Sequence, residues 1–290
     1  MISYDWSEEL PDDVLPELEA LLAEAAEEDV EGGFPLISPA GSRKAQHLLV
    51  HLLPDERAES SVPESGALAA YLRLTPRDDG THAAEYVVRP RYRSRGITTL
   101  LMERMGVDTR RSGGWVDTGA QSVSVWATGD HPAAQRIARR FRRTGLRATR
   151  RDWHLVAPVR DAVLPSDAHP ASPEERAQAE EWFREARPFD DLPTGAHLLV
   201  AAGGAVYVDP TATAETEYGT SGQIVAVLTP PGARTPETLT ALLETGRAVL
   251  AEAGLRVGGV TVWADDEDLV HACRALDFSH YRTDTEYTVA

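Results

Sequence analysis

The chain has 290 residues, of which 42% are hydrophobic, enough for two packed domains of about 150 residues each. Its 46 acidic and 29 basic side chains give a formal net charge of −17, which argues against a surface built to neutralise nucleic-acid phosphates. A single cysteine, Cys273, excludes an internal disulfide; no Cys/His cluster offers a zinc site, no apolar run approaches the roughly 20 residues that span a bilayer, and Met1-Ile2-Ser3-Tyr4-Asp5-Trp6 lacks the pattern of a signal peptide, so a metal-free, cytoplasmic monomer is expected.

In chain order, residues 8–29 carry apolar side chains at helical spacing (Val14, Leu18, Leu21, Leu22, Ala25). A Gly/Pro-rich loop, Gly32-Gly33-Phe34-Pro35, follows. Residues 47–53 read as a buried strand, 54–65 as a hairpin loop and 67–74 as a second strand. After a turn at Asp79-Gly80, residues 84–90 form a strand stopped by Pro90. Residues 97–110 have helical spacing, 122–127 are a strand, 132–143 a helix with proline in its first turn, and 153–157 a closing strand.

The second half repeats this order. His197-Leu198-Leu199-Val200 copies the tetrapeptide at His47, 150 positions later, and Val260-Thr261-Val262-Trp263-Ala264 echoes Val123-Ser124-Val125-Trp126-Ala127. Strands are expected at 204–208 and 223–228, helices at 238–253 and 269–276, and a closing strand at 286–289. Matched strings in a matched order indicate a duplicated domain. The expected domains are residues 1–160 and 174–290, joined by a polar, Pro-containing stretch.

Chemistry concentrates in one string, Val87-Val88-Arg89-Pro90-Arg91-Tyr92-Arg93-Ser94-Arg95-Gly96-Ile97-Thr98. It reads as strand, basic loop, helix. A helix start offers unpaired N–H groups and the positive end of the dipole, and glycine lets the backbone approach an anion. Three arginines reverse the sign of an otherwise acidic chain. A pyrophosphate suits such a loop; an ordinary solvated turn is the alternative. The string lacks the Lys-Ser/Thr of a P-loop and the three glycines of a dinucleotide fold.

Arg93-Ser94-Arg95-Gly96-Ile97-Thr98 resembles motif A of the GNAT acetyltransferases, Arg/Gln-x-x-Gly-x-Gly/Ala, with Thr98 in the last, normally small, position. Further strings, among them Tyr4-Asp5-Trp6, Ala70-Tyr71-Leu72-Arg73-Leu74, Ala84-Glu85-Tyr86-Val87-Val88 and Trp126-Ala127-Thr128-Gly129-Asp130-His131-Pro132, make the chain similar to the mycothiol synthase family over nearly its whole length. The resemblance implies an α/β fold of two tandem GNAT domains, each a mixed, mostly antiparallel sheet flanked by helices. It implies acetyl transfer from acetyl-CoA to the cysteine amine of the desacetyl-mycothiol precursor, a small amine/thiol acceptor. It also implies that Arg93, Ser94, Arg95, Gly96, Ile97 and Thr98 hold the CoA pyrophosphate, that Tyr86, Val87 and Val88 pair with the pantetheine arm, and that Glu85 is the general base.

Departures fall mainly in the second half, where the family's catalytic domain lies. Pro231-Gly232-Ala233-Arg234-Thr235-Pro236-Glu237 lacks motif A; Thr235 and Pro236 instead read as a helix cap and first position. The carboxylate position is placed at Gly222-Gln223, and Cys273 and Phe141 stand where tyrosine would act as acid. Cys273 reads more readily as core packing, as do the strand tryptophans Trp126, Trp153 and Trp263. One bound cofactor is expected, in the first half. The alternatives are a catalytically degenerate acetyl-CoA-binding regulator and a GNAT enzyme acting on another small amine.

Overall fold

The computed structural model describes residues 1–29, 45–53, 66–110, 113–159, 162–186 and 195–289. The loops expected at 32–35 and 54–65, and residues 160–161 of the expected linker, lie outside these. The chain divides into two compact units, Met1–Arg150 with Asp284–Ala290, and Arg151–Thr283.

The first unit contains β1 (Ile2–Ser7), α1 (Leu15–Asp29), β2 (Gln46–Leu52), β3 (Leu68–Pro76), β4 (Thr81–Val88), α2 (Ile97–Met105), β5 (Ser122–Ala127), α3 (Pro132–Phe141) and the start of β6 (Arg147–Pro158). Its sheet runs β1-β2-β3-β4-β5 and is completed by Thr285–Val289 of β12 (Ser279–Val289) against β5. All these pairs are antiparallel except β4 with β5. Strand alternation sends Leu48, Val50, Ala70, Leu72, Leu74 and Ala84 to one face, where Ile97 and Leu101 of α2 cover them. Leu49, Tyr71 and Val87 point to the opposite face, under Leu18, Leu21 and Ala25 of α1. Strand β1 carried no strong sequence signal: only Ile2 of its six residues is buried. Helix α2 ends at Met105 because Gly106 turns the chain at φ 76°, five residues short of the expected 110.

The second unit contains the rest of β6, β7 (His169–Pro170), α4 (Pro173–Ala186), β8 (His197–Ala201), β9 (Gly204–Thr216), β10 (Gly219–Leu228), α5 (Pro236–Glu252), β11 (Val257–Trp263) and α6 (Glu267–Ala275). Its sheet order is β6-β11-β10-β9-β8-β7, with β10 and β11 the parallel pair. Leu239, Leu242, Leu243 and Leu250 of α5 and Val270 and Cys273 of α6 pack on one face. Ala179 and Phe183 of α4 cover Tyr207 and Ala226 on the other.

The closing strands are exchanged relative to the sequence reading. Residues 153–157, expected to finish the first domain, pair with β11 in the second unit. Residues 286–289, expected to finish the second, pair with β5 in the first.

Candidate functional site

Strands β4 and β5 run parallel for four rungs, from Thr81↔Ser122 to Ala84↔Val125. Beyond that point β4 stays with β3 while β5 stays with β12, so the two part. The Arg89 N–H donates to the Ala69 carbonyl at 2.9 Å. Antiparallel alternation then fixes the backbone of β4: Glu85 and Val87 address β3, while Tyr86 and Val88 turn N–H and C=O toward the gap. An extended chain of amides can pair with such an edge. Val87, expected among the pairing residues, instead gives its backbone to β3 and its side chain to the core under α1.

The gap leads into the basic loop. Pro90–Tyr92 form a 3₁₀ turn, Ser94 adopts φ 62° and Gly96 φ 77°, and α2 begins at Ile97 with no side chain capping it. A Cβ added at Gly96 would meet nothing within 4 Å. The first turn of α2 thus starts without a side-chain cap, the arrangement that can receive an anion.

The side chains of this loop take separate roles. Arg93, expected in the anion cradle, is engaged elsewhere: Nη1 and Nη2 donate to the two Asp29 carboxylate oxygens at 2.7 and 2.8 Å, and Nε donates to the Val88 carbonyl at 3.1 Å. Arg89, only 5% exposed, donates from Nε and Nη2 to Glu24 at 2.8 and 2.7 Å. These two pairs fix α1 to the end of β4. The hydrogen bonds and charge of Arg89 hold the Glu24 carboxyl below its ordinary range. Arg91 and Arg95 each lie over the Tyr92 ring, 5.0 and 5.4 Å from its centre. Ile97 is buried in the core. The Thr98 hydroxyl lies 3.1 Å from that of Tyr86, whose pKa burial pushes up to about 12. Thr98 thus has a polar partner within the unit.

Glu85 faces the same side of the sheet as Val87 and makes a cross-strand ion pair with Arg73. The carboxylate side chain is 38% exposed and Arg73 is 14% exposed, so one partner is nearly buried and the other reaches solvent. Nearby on this face, the Tyr71 hydroxyl and His47 Nδ1 are 2.7 Å apart, and Arg77 donates to Ser124 at 3.2 Å. Trp126 and Trp263 are not core residues: they are 40% and 48% exposed, and the Arg150 guanidinium lies 5.6 Å from the Trp126 ring centre. His131 caps α3, accepting from the Ala133 N–H at 3.2 Å. Phe141 is buried in a small apolar cluster.

The second unit keeps the gap and closes the helix start. Strands β10 and β11 pair from Ser221↔Val257 to Ile224↔Val260 and then part, with a bulge between Ile224 and Ala226. Counted from the last rung, Val225 matches Glu85, rather than Gly222-Gln223 as the sequence suggested. At α5, the Thr235 hydroxyl accepts from the Thr238 N–H at 3.2 Å, Pro236 has no N–H to offer, and hydrogen bonds at the helix start hold the Glu237 carboxyl low. Arg234 is paired with Asp266, which also caps α6 at the Leu269 N–H. Cys273 is fully buried, and desolvation pushes its thiol up to about 12, so it stays protonated in the core. Among the described residues, no three His, Cys, Asp or Glu side chains converge as metal ligands would.

The model of the acetyltransferase (GNAT) family matches residues 19–127, the segment holding α1, β4, the basic loop and β5. The mycothiol acetyltransferase of Saccharomonospora viridis is 34% identical over 143 residues, 49% of this chain and 41% of that protein. That of Acidothermus cellulolyticus is 32% identical over 191 residues, 62% of this chain and 52% of that protein. The match thus spans about half the length of those two relatives. The mycothiol acetyltransferase of Actinosynnema mirum aligns along the whole of both chains at 27% identity. Among solved structures, a GCN5-related N-acetyltransferase from Sphaerobacter thermophilus has a TM-score of 0.57 at 18% identity, covering 98% of this chain and 95% of that one. A tandem GNAT protein from the clavulanic acid biosynthesis pathway has a TM-score of 0.55 at 16% identity, covering 99% and 98%. These two share the fold.

Proposed function

We propose that the chain, whose residues 19–127 match the acetyltransferase (GNAT) family model, moves an acetyl group from acetyl-CoA to the primary amine of a small acceptor. The mycothiol precursor, desacetyl-mycothiol, is the acceptor the relatives' names favour. The observation that carries the reading is the gap beyond Ala84 and Val125 opening onto an uncapped helix start at Gly96. Among the described residues it occurs once with both parts intact, in the first unit.

In this reading the pantetheine amides pair with Tyr86 and Val88, and the α2 N–H groups take the diphosphate. The amine nitrogen attacks the thioester carbonyl, and the Tyr86 N–H, further along the gap from the basic loop, stabilises the oxyanion, while the Val88 N–H and the Tyr86 carbonyl are left for the pantetheine amides. The C–N bond forms, the C–S bond breaks, and CoA leaves as thiolate. Glu85, reaching solvent beside Arg73, takes the amine proton through water. Phe141 stands where a tyrosine acid would act, so the CoA thiolate takes its proton from water, and alignment of donor and acceptor supplies much of the acceleration.

A thiol-release assay with acetyl-CoA and desacetyl-mycothiol tests the reading. The expected result is one CoA thiol released per amine acetylated. Turnover on other amines alone would transfer the activity to a different acceptor. Binding of acetyl-CoA without turnover on any amine would favour a non-catalytic regulator, which the closed helix start of α5 and Val225 in the carboxylate position already suggest for the second unit.

A further inference from the structure

Arg91, Arg93 and Arg95 lie between β4 and α2, and their charges are not equivalent. Arg93 is spent on Asp29. Arg91 and Arg95 form no ion pair among the described residues; each rests on the Tyr92 ring. Tyr92 itself is fully buried, so the ring is a fixed base. Arg91 contributes to the positive field on Glu24 without bonding to it. A guanidinium resting over a ring gives none of its five N–H donors to a carboxylate, and they are left for an anion. The result is two exposed guanidinium groups, held by one buried ring, beside an open helix start in a chain of net charge −17.

We propose that Arg91 and Arg95 bind the 3′-phosphate of coenzyme A and make the first unit selective for the intact cofactor over forms that lack this group. The inference rests on the acetyl-CoA reading above and goes beyond it. Two kinds of phosphate have to be accommodated. The diphosphate bridges two organic groups and lies along the backbone, where the N–H groups of the α2 start reach it. The 3′-phosphate is a terminal monoester that carries up to two negative charges near neutral pH. It is attached to the ribose, apart from the diphosphate, and planar donor forks on the surface match it better than a backbone cradle. Without such donors the acidic chain would repel it.

The test titrates the full-length protein calorimetrically with CoA and with dephospho-CoA, which differ only in this phosphate. The wild type should bind CoA at least about tenfold more tightly, the worth of charge-assisted contacts at an exposed site. In the double variant Arg91→Gln/Arg95→Gln, which keeps polar stems against Tyr92, the two affinities should come within about twofold of each other. The dephospho-CoA affinity gauges any general damage to the cleft in the same protein. Equal wild-type affinities, or a preference that survives in the variant, would overturn the assignment while leaving acetyl-CoA as the donor. Failure to bind either ligand would remove the donor reading as well.

Discussion

Replacing Glu24 by Gln tests the pair with Arg89 that fixes α1 to the end of β4. The Arg89 side chain is 6% exposed and that of Glu24 is 42% exposed. Removing one partner of a fully buried pair costs about 3–5 kcal/mol, and of an exposed one roughly 0–1 kcal/mol. This pair is half of each. Glu17 lies 3.5 Å from Arg89, and the Leu68 carbonyl accepts from it at 3.4 Å, so the abandoned guanidinium keeps some compensation. A loss of about 2 kcal/mol follows, which lowers Tm by roughly 4–8 °C in a protein of this size. The pH dependence has a definite sign. The folded pKa of Glu24 lies below its ordinary 4.5, so its contribution is fully present above that value and fades as pH falls through the lower, folded one. Thermal unfolding followed by circular dichroism should show the full gap between wild type and variant near neutral pH. The gap should narrow as pH falls below about 4.5 and go on closing in stronger acid, because the folded carboxyl holds its charge to lower pH than the unfolded one. Equal melting at neutral pH, or a gap that persists undiminished in acid, would refute the assignment of the stability to this pair.

Gly96→Glu should abolish acetyl-CoA binding in calorimetry, because it forces a side chain into the left-handed conformation at φ 77° and sets a negative charge at the anion's position; unchanged affinity would remove the loop from the site. The same titration of the wild type should give one acetyl-CoA per chain, and two would mean that the start of α5 accepts an anion despite Thr235, Pro236 and Glu237. Cys273, with its thiol pushed up to about 12, should resist a maleimide in the native protein at about pH 8 and react fully after denaturation; rapid native labelling would place it outside the core.

What the sequence displayed well was local. The Arg-rich string, its glycine and the strand before it sit within twelve consecutive residues, so their sign reversal and turn chemistry could be read directly. What it hid depended on partners far along the chain. Arg93 looked like a phosphate ligand because Asp29, 64 positions earlier, could not be seen to meet it. Helix α4 went unread because only Ala179 and Phe183 of its fourteen residues are buried, too thin a stripe to signal a helix. Trp126 and Trp263 sit in alternating strands, and alternation assigns faces without saying which face is left uncovered.

The exchange of closing strands has the same origin. Neither short segment names its partner in its own residues; the choice lies in the register that residues 152–158 find against β11 and residues 285–289 find against β5. Register also explains why the two units resemble one another where they do. In each, the parallel pair holds for four rungs and then parts, a consequence of which neighbour each strand follows and not of any single residue. The helix start that follows depends on a few side chains instead. Gly96 leaves the first turn of α2 open, while Thr235, Pro236 and Glu237 close that of α5 with a hydroxyl, a missing donor and a negative charge. Strand divergence is therefore present in both units, while of α2 and α5 only α2 starts without a side-chain cap.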